Sequence, residues 1–396
     1  MAAGNIIDPD LNLIREVKKA GGDTLKKCYQ CATCSVVCSL SPEDRPFPRK
    51  EMLLAQWGQK NALLSDPDLW LCHQCNDCST HCPRGARPGD VLAALRTYIY
   101  KSFAFPAFMG KAVNSPKALP LLLLVPVLIL LAAVLLLPKV GPDGEILYLT
   151  STTVDFDYFL RHSFVDAFFV IGNIIIFIFA AVGFIRFWKG LKSSGPPLDI
   201  SFMAAFIQTI KEILTHKLFA SCEQNKPRRV GHLLLFYGFI GAMITTGAVF
   251  ILIFIPHYLH EFKIMNISIM PMPPVDLPNP IKIIGGLSGL ALCIGGAMLI
   301  YRRWTNRDGV GANGYSDYLF LYMLFMVGLS GMFSWITRLI GIPMLAYLVY
   351  FWHLVVVYFL LWYMPYSKFA HMIYRTLALV YARGIKRLPR AAVPVR

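Results

Sequence analysis

Charge is scarce in this chain. Only 15% of its 396 residues are Asp, Glu, Lys or Arg, and the acidic ones are the rarer, 23 against 38 basic. A soluble protein of this length carries more charge. No stretch alternates apolar and polar residues with the two-residue period of a half-buried strand, so no sheet is expected. The glycines of residues 309–314 follow no strand and make no dinucleotide-binding turn. No Cys-x-x-Cys-His occurs, which excludes covalently attached c-type haem. Residues 1–27 lack the apolar core of a secretory signal. The polar N-terminal part is therefore expected in the cytoplasm, where thiols stay reduced.

What is abundant is apolar. Hydrophobic residues make up 56% of the chain and the mean hydropathy is +0.53. Six stretches of about 20 residues, enough to cross a bilayer, lie near 118–138, 163–188, 232–255, 282–301, 318–338 and 345–366. The expected organisation is a cytoplasmic domain over 1–105, a linker over 106–117, a membrane domain over 118–380 and a basic cytoplasmic tail over 381–396. Positive residues orient it. Lys189, Lys192, Lys211, Lys217, Lys226, Arg228 and Arg229 fall in one inner connection, Arg302, Arg303 and Arg307 in another, and Arg375, Arg383, Lys386, Arg387 and Arg390 follow the last span. The outer connections hold only Lys139, Arg161 and Lys263. Both termini are thus expected inside, in the cytoplasmic (inner) membrane of a cell. The net charge of +15 follows from this loop bias and is no argument for nucleic acid.

Eight of the ten cysteines fall in two copies of one spacing. Cys28, Cys31, Cys34 and Cys38 form the first; Cys72, Cys75, Cys78 and Cys82, followed by Pro83, form the second. This is the run of two-cluster bacterial ferredoxins, in which the fourth thiolate crosses to the other cube. Cys28, Cys31, Cys34 and Cys82 would hold one [4Fe–4S] cluster, and Cys72, Cys75, Cys78 and Cys38 the other. The alternatives are disulfides or zinc, but two-residue gaps are tight for bridges. Ser39 stands where proline usually follows the first run, which alters the turn and not the ligand count. Cys222 and Cys293 are isolated and receive no chemistry.

The remaining polar part is expected to be helical, over 10–20, 49–60 and from Val91 to Tyr100. The fold class is therefore all-α: a small helical two-cluster domain joined to a six-helix membrane bundle. Met203, Phe206, Ile207, Ile210, Ile213, Leu214 and Leu218 recur at helical spacing opposite Gln208, Lys211, Glu212 and Lys217. That pattern describes an amphipathic helix on the inner membrane surface, or a docking helix.

Nine histidines are present. His73 and His81 lie among the cysteines and read as ordinary neighbours or surface residues; His216 reads as solvated. His353 and His371 are 18 residues apart, five turns of one helix. Both rings would leave the same face about 27 Å apart, too far to share an iron but placed to hold one haem each near opposite membrane faces. Pro365 between them would kink such a helix. His232 is the expected mate of His371 at the inner face. At the outer face the choices are His162, His257 and His260, with His162 favoured because Asp166 and Asn173 share its helix face. The alternative is that these histidines merely sit at the interface.

The doubled cysteine run resembles the C subunits of the heterodisulfide reductases. Residues from about His162 to Arg375 resemble the membrane cytochrome b subunit of respiratory nitrate reductases. The nearest pieces are Gly285-Gly286, Gly295-Gly296, Tyr301-Arg302-Arg303 and His353…Pro365…His371. Both parts in one chain are similar to the C subunits of quinone-interacting membrane-bound oxidoreductases of sulfur-metabolising bacteria. The resemblance implies an electron wire of two [4Fe–4S] clusters and two haem b groups serving menaquinone. It implies flavin- and iron–sulfur-containing A and B subunits as partners and adenylylsulfate reductase beyond them. One departure is that the nitrate-reductase family has a second histidine ten residues after the position of His232, where this chain has Ala242. Oxidation of menaquinol also needs a proton acceptor, and Asp166, Arg161 and Lys282 are the candidates. No Cys-Cys-Gly of the heterodisulfide-cleaving subunit is present, so the terminal chemistry is expected on partners. The alternatives are the equivalent subunit of a heterodisulfide or sulfite reductase complex, or a cluster-bearing membrane anchor or sensor without turnover.

Overall fold

The computed structural model describes residues 8–221, 226–261, 277–311 and 314–387, with positions 275 and 389. Cys222, Lys263 and Arg390 lie outside the described residues. The chain is all-α. Among the described residues there is no sheet, only an isolated bridge between Val140 and Ile146.

Six helices are long and apolar enough to cross a membrane, and they coincide with the six stretches expected: Pro116–Leu136, His162–Ser194, Arg228–Glu261, Pro280–Thr305, Tyr315–Ile340 and Pro343–Trp362, the first to sixth spans. Their outer faces are unusually apolar; Ile171, Ile174, Ile178 and Ile185 of the second span are all exposed. Lipid is the medium in which such a surface is stable. The third and fourth spans cross closely because small residues line the contact. A Cβ on Gly295 would stand 2.6 Å from the Leu235 nitrogen, so only glycine fits there.

Most of the N-terminal helices are short, and the first is capped by its own side chain. Asp10 accepts from the backbone nitrogens of Asn12 (2.8 Å) and Leu13 (3.0 Å) and so starts the helix Leu11–Lys19, a cap that contributes about 1 kcal/mol. The helix Pro88–Phe103 then runs from the cysteines toward the membrane.

Three expectations need correction. First, residues 106–117 do not behave as a simple linker. They contain the helix Ala107–Val113, and Asn114 donates to the Tyr366 carbonyl (2.7 Å) while accepting from Ser316. Second, the cysteine domain shares its core with the membrane domain. Trp70 stacks on Tyr374 at 5.7 Å and meets Phe187 of the second span edge-on at 6.0 Å. Burying each such ring stabilises the junction by roughly 1.5–3 kcal/mol. The end of the chain joins in: Arg387 is buried, bidentate on Asp68 and paired with Asp44, so the basic tail begins folded against the cysteine domain.

Third, His353 and His371 do not share one helix. The sixth span ends at Trp362, two single 3₁₀ turns follow (Met364–Tyr366 and Lys368–Ala370), and a new helix runs His371–Gly384. Pro365 lacks the N–H that a continuing helix requires, and Ser367 caps the next turn by accepting from the Phe369 nitrogen at 3.1 Å. The chain breaks where a kink was expected.

The amphipathic segment forms the helix Phe202–Thr215. Its Ala205 and Thr209 are buried, Glu212 pairs with Arg383, and Met203, Ile207 and Leu214 are exposed. Ile210 and Ile213 face the protein with Ala205 and Thr209, while Gln208 and Lys211 are exposed alongside Met203, Ile207 and Leu214.

Candidate functional site

The two cysteine runs fold into the same loop. Each has two non-glycine residues in the left-handed region, Gln30 and Ala32 in the first, Gln74 and Asn76 in the second, at matching distances from the leading cysteine. A short helix follows each, Thr33–Val37 and Asp77–Thr80. Each left-handed L-residue costs about 1–2 kcal/mol, and such strain concentrates at functional sites.

The thiols converge in two crossed groups. Burial pushes Cys28 up, and the neighbouring Cys82 and Cys31 add to it. Cys34 is pushed up to about 11 by burial and by Cys28 and Cys31. Burial raises Cys78 well above its usual value, with Cys72, Cys38 and Cys34 adding to it. Cys38, Cys72, Cys75 and Cys78 line one small cavity with Leu40 and Phe47. The last cysteine of each run is thus beside the other run. Thiols that repel one another as thiolates suit a cationic iron centre, and the residues present fit two cubes. Gln74 N donates to Cys72 Sγ at 3.3 Å and Gln30 Nε2 to Cys28 Sγ at 3.5 Å, bonds of the kind that tune cluster potentials.

A cavity of about 340 Å³ lies directly behind the second loop. His232 of the third span and His371 both line it. His371 directs Nδ1 at the Lys368 carbonyl, 2.6 Å away, which leaves Nε2 as its ligand atom. Six cations also line it (Arg96, Arg228, Arg302, Arg303, Lys368 and Arg375) against two carboxylates, Glu212 and Asp317. Three of the arginines bond the loop itself. Arg228 donates to the carbonyls of His73 (3.0 Å) and Gln74 (3.2 Å), Arg375 to that of Cys72 (3.0 Å), and Arg96 to the Gln74 side-chain oxygen (3.3 Å). Two imidazoles for an iron and an excess of cations for two propionates fit a haem b.

At the opposite ends of the spans the histidines have different neighbours. His353 bonds Ser330 Oγ at 2.9 Å. Ser330 has one proton, and its oxygen lies 2.6 Å from the Met326 carbonyl; the serine therefore accepts from His353 Nδ1–H, leaving Nε2 as the ligand atom. Gly331 cradles the ring, since a Cβ there would stand 3.1 Å from Cε1. His162 lies instead against Phe254 at 5.4 Å, and its backbone nitrogen donates to Asp157 (2.8 Å). Asp166 accepts from the Tyr258 hydroxyl at 2.8 Å. Phe250–Phe254 is a π-helical turn, a feature frequent at functional sites. Lys282 sits 4.5 Å over the Trp335 ring, and Arg161 is exposed. Asp166 and His162 are brought together with Tyr258; Lys282 belongs to a separate contact on the fourth and fifth spans.

Comparison with known proteins covers both halves. Residues 113–392 match the family described as Citrate utilization protein B. The chain belongs to that family. Citrate utilization protein B of Escherichia coli is 26% identical over 389 residues, which cover 90% of this chain and 89% of that one. Residues 24–86 match a 4Fe-4S dicluster domain. The C subunit of the H(2):CoB-CoM heterodisulfide,ferredoxin reductase of Methanothermobacter marburgensis is 38% identical over 115 residues, 28% of this chain and 58% of that protein. A protein of Archaeoglobus profundus described as like the C subunit of heterodisulfide reductase is 33% identical over 100 residues, 25% and 53% respectively. The chain thus spans little more than half the length of these iron–sulfur relatives. No solved structure matches it. This member of the Citrate utilization protein B family therefore carries a heterodisulfide reductase C-like iron–sulfur domain ahead of its membrane helices.

Sequence reasoning misplaced one histidine. His216, expected in solvent, is 8% exposed and its Nε2 lies 2.9 Å from His232 Nδ1. It ends the amphipathic helix in the left-handed conformation, a place usually taken by glycine, and nothing in its sequence context marks it. His73, read as an ordinary neighbour, lines the wall between the second cysteine loop and the cavity, 5.4 Å from Phe219.

Proposed function

We propose that this chain is the membrane electron-transfer subunit of a quinone-linked oxidoreductase. It joins menaquinol in the membrane to soluble flavin and iron–sulfur subunits through two haem b groups and two [4Fe–4S] clusters. The observation that carries the reading is the shared wall: the loop Cys72-His73-Gln74 lines the same cavity as His232 and His371. That loop would thus stand between the place of one cofactor and that of the next.

When bound, haem and cubes supply one-electron carriers; the polypeptide supplies everything else. Cys28, Cys31, Cys34 and Cys82 would hold the cube farther from the membrane, and Cys72, Cys75, Cys78 and Cys38 the nearer. His232 and His371 would hold the inner haem and His353 the outer one, with His162 favoured as its mate over His257 and His260 because Asp166 and Asn173 share its helix face. Arg228, Arg302 and Arg303 offset the propionate charge. Arg228 and Arg375, by holding the carbonyls of the nearer cysteine loop, fix its distance from the cavity. A quinol gives up two protons with its two electrons. Asp166, hydrogen-bonded to Tyr258 beside His162, is the group placed to take one, and Arg161 would offset its charge. Lys282, held over Trp335, is the alternative place for the quinone headgroup. Orientation follows the positive residues, with both termini in the cytoplasm.

The soluble partner is read as the A and B subunits of such a complex delivering electrons to adenylylsulfate reductase. A second reading comes from the relative that matches over nearly the full length, which is named for citrate utilization: the same wire, run toward quinone from a partner that oxidises an organic acid. A quinol analogue added anaerobically to membranes holding the native complex tests the common part. Reduction of two b-type centres and then of the clusters is expected. In His371→Ala one b-type centre should disappear and cluster reduction should stop. Protein that holds both clusters but no protoporphyrin would overturn the reading.

A further inference from the structure

The cysteines of the outer group are unequally covered. Cys34 is buried and Cys28 half-buried, whereas Cys31 is exposed. On either side of it stand Tyr29, 67% exposed, and Val36, 71% exposed, the two most exposed large apolar side chains among the described residues of the cysteine domain. A cationic rim surrounds them. The Arg84 guanidinium lies 4.0 Å over the Tyr29 ring, Arg49 Nε donates to the Gln30 carbonyl at 3.1 Å, and Lys26 and Lys27 are exposed in the turn that leads into Cys28. Asp23 opens the same turn, but no other Asp or Glu occurs in residues 23–42 or 78–89, so basic side chains prevail on this surface. The second cysteine run, by contrast, backs onto the inner cavity behind Arg228 and Arg375.

We propose that Tyr29 and Val36 around Cys31, rimmed by Lys26, Lys27 and Arg84, form the docking face for a soluble one-electron redox protein whose cofactor edge is ringed by carboxylates. The inference rests on the electron-transfer reading and adds to it the place of contact and the chemistry of the partner. Apolar side chains at the centre exclude water, while unlike charges at the rim steer the encounter and fix its orientation. A second copy of this chain is disfavoured as the occupant, because two basic rims would face each other on chains of net charge +15. One electron passes at each encounter: the donor centre is oxidised, the acceptor centre is reduced, no covalent bond changes and no proton moves.

The test uses the full-length holoprotein in nanodiscs and an acidic plant-type [2Fe–2S] ferredoxin as the probe, mixed in stopped flow. The rate constant for reduction of the clusters by reduced ferredoxin should fall as salt is added. Lys26→Glu/Lys27→Glu should lower it about tenfold at low salt, within the range of electrostatic steering, and the difference should vanish at high salt. Tyr29→Ala should lower it at every salt concentration. Lys189→Glu/Lys192→Glu makes the same charge change on the exposed end of the second span and should leave the rate unchanged. Iron content and the cluster spectrum confirm that each variant is intact. The proposal is overturned by an unreactive wild type, by a rate indifferent to the Lys26 and Lys27 reversal, or by an equal loss in the Lys189 and Lys192 control. Quinol reduction of the b-type centres, read in the same samples, is separate. Its failure with the docking effect intact removes the quinone reading alone, and the reverse outcome removes this surface alone.

Discussion

His216 Nε2 lies 2.9 Å from His232 Nδ1. Burial holds the His216 pKa below its usual value, so the ring is neutral at pH 7. A neutral His216 that accepts at Nε2 carries its proton on Nδ1. His232 then donates from Nδ1 and keeps its Nε2 lone pair for a ligand in the cavity. Histidine supporting histidine in this way fixes both ring orientation and basicity. In His216→Ala, haem affinity at the inner position should fall about 10- to 100-fold, read as haem per polypeptide after repeated detergent exchange. Full retention with an unchanged low-spin spectrum would show that His216 does not support a ligand.

The crossed arrangement of cysteines makes a second prediction. Cys38 belongs to the first run in sequence but lines the cavity of Cys72, Cys75 and Cys78. Cys38→Ser should therefore alter or eliminate the cluster nearer the membrane and spare the one at Cys31. Electron paramagnetic resonance of the reduced protein distinguishes them, because loss of the nearer cluster also interrupts reduction by quinol while reduction by ferredoxin at the outer one persists. Loss confined to the outer cluster would contradict the crossing.

Glu51 offers a test by pH. It is fully buried beside Asp66 and Asp68, with Lys50 3.1 Å from one oxygen. Burial, then Asp66, pushes its pKa well above the ordinary carboxylate value, against the pull of Lys50. A carboxyl whose pKa is raised by folding contributes stability below its unfolded value, about 4.5, and loses that contribution as pH rises toward the folded value. Glu51→Gln, which cannot ionise, should be indistinguishable from wild type near pH 4.5 and increasingly more stable above it. Thermal unfolding across the pH range measures the gap, and a gap that narrows as pH rises would refute the assignment. The cluster is no cation site, since the Lys50 ammonium already lies within 3.1 Å of all three carboxylates.

At the outer face, Asp166 and Tyr258 share a 2.8 Å hydrogen bond from spans far apart in sequence. If Asp166 takes a quinol proton, Asp166→Asn should slow quinol-dependent reduction of the b-type centres about 10²-fold, the lower end for removal of a general base. Haem content should not change, which separates proton transfer from assembly. Tyr258→Phe should give a smaller loss of the same kind. Rates equal to wild type in both would move the quinone site elsewhere, with Lys282 beside Trp335 the next place to look.

The spans were legible because twenty consecutive apolar residues have few other uses, and the cysteine loops because thiolates at those spacings have few other partners. That His232 and His371 lie at a similar depth was also legible from the span boundaries, and both line one cavity. What could not be read was local. Pro365 was expected to bend a helix, but whether a chain kinks or stops depends on what satisfies the freed backbone groups, here Asn114 at the Tyr366 carbonyl and Ser367 at the Phe369 nitrogen. His216 and Arg387 look like solvated residues in one dimension, because burial of a polar side chain is set by partners hundreds of positions away or across a helix break.

Sequence by itself thus determined the six apolar stretches long enough to cross a membrane, the two repeated cysteine runs and the clustering of basic residues in particular connections. These are properties of single segments, decided by hydropathy and ligand spacing. Only the tertiary structure decided that the cysteine domain and the membrane bundle share a core through Trp70, Phe187 and Tyr374, that three arginines grip the second cysteine loop from behind, and that Cys31 alone of its group faces outward. Each of these is a relation between segments, and its free energy exists only once the desolvated partners have been brought together.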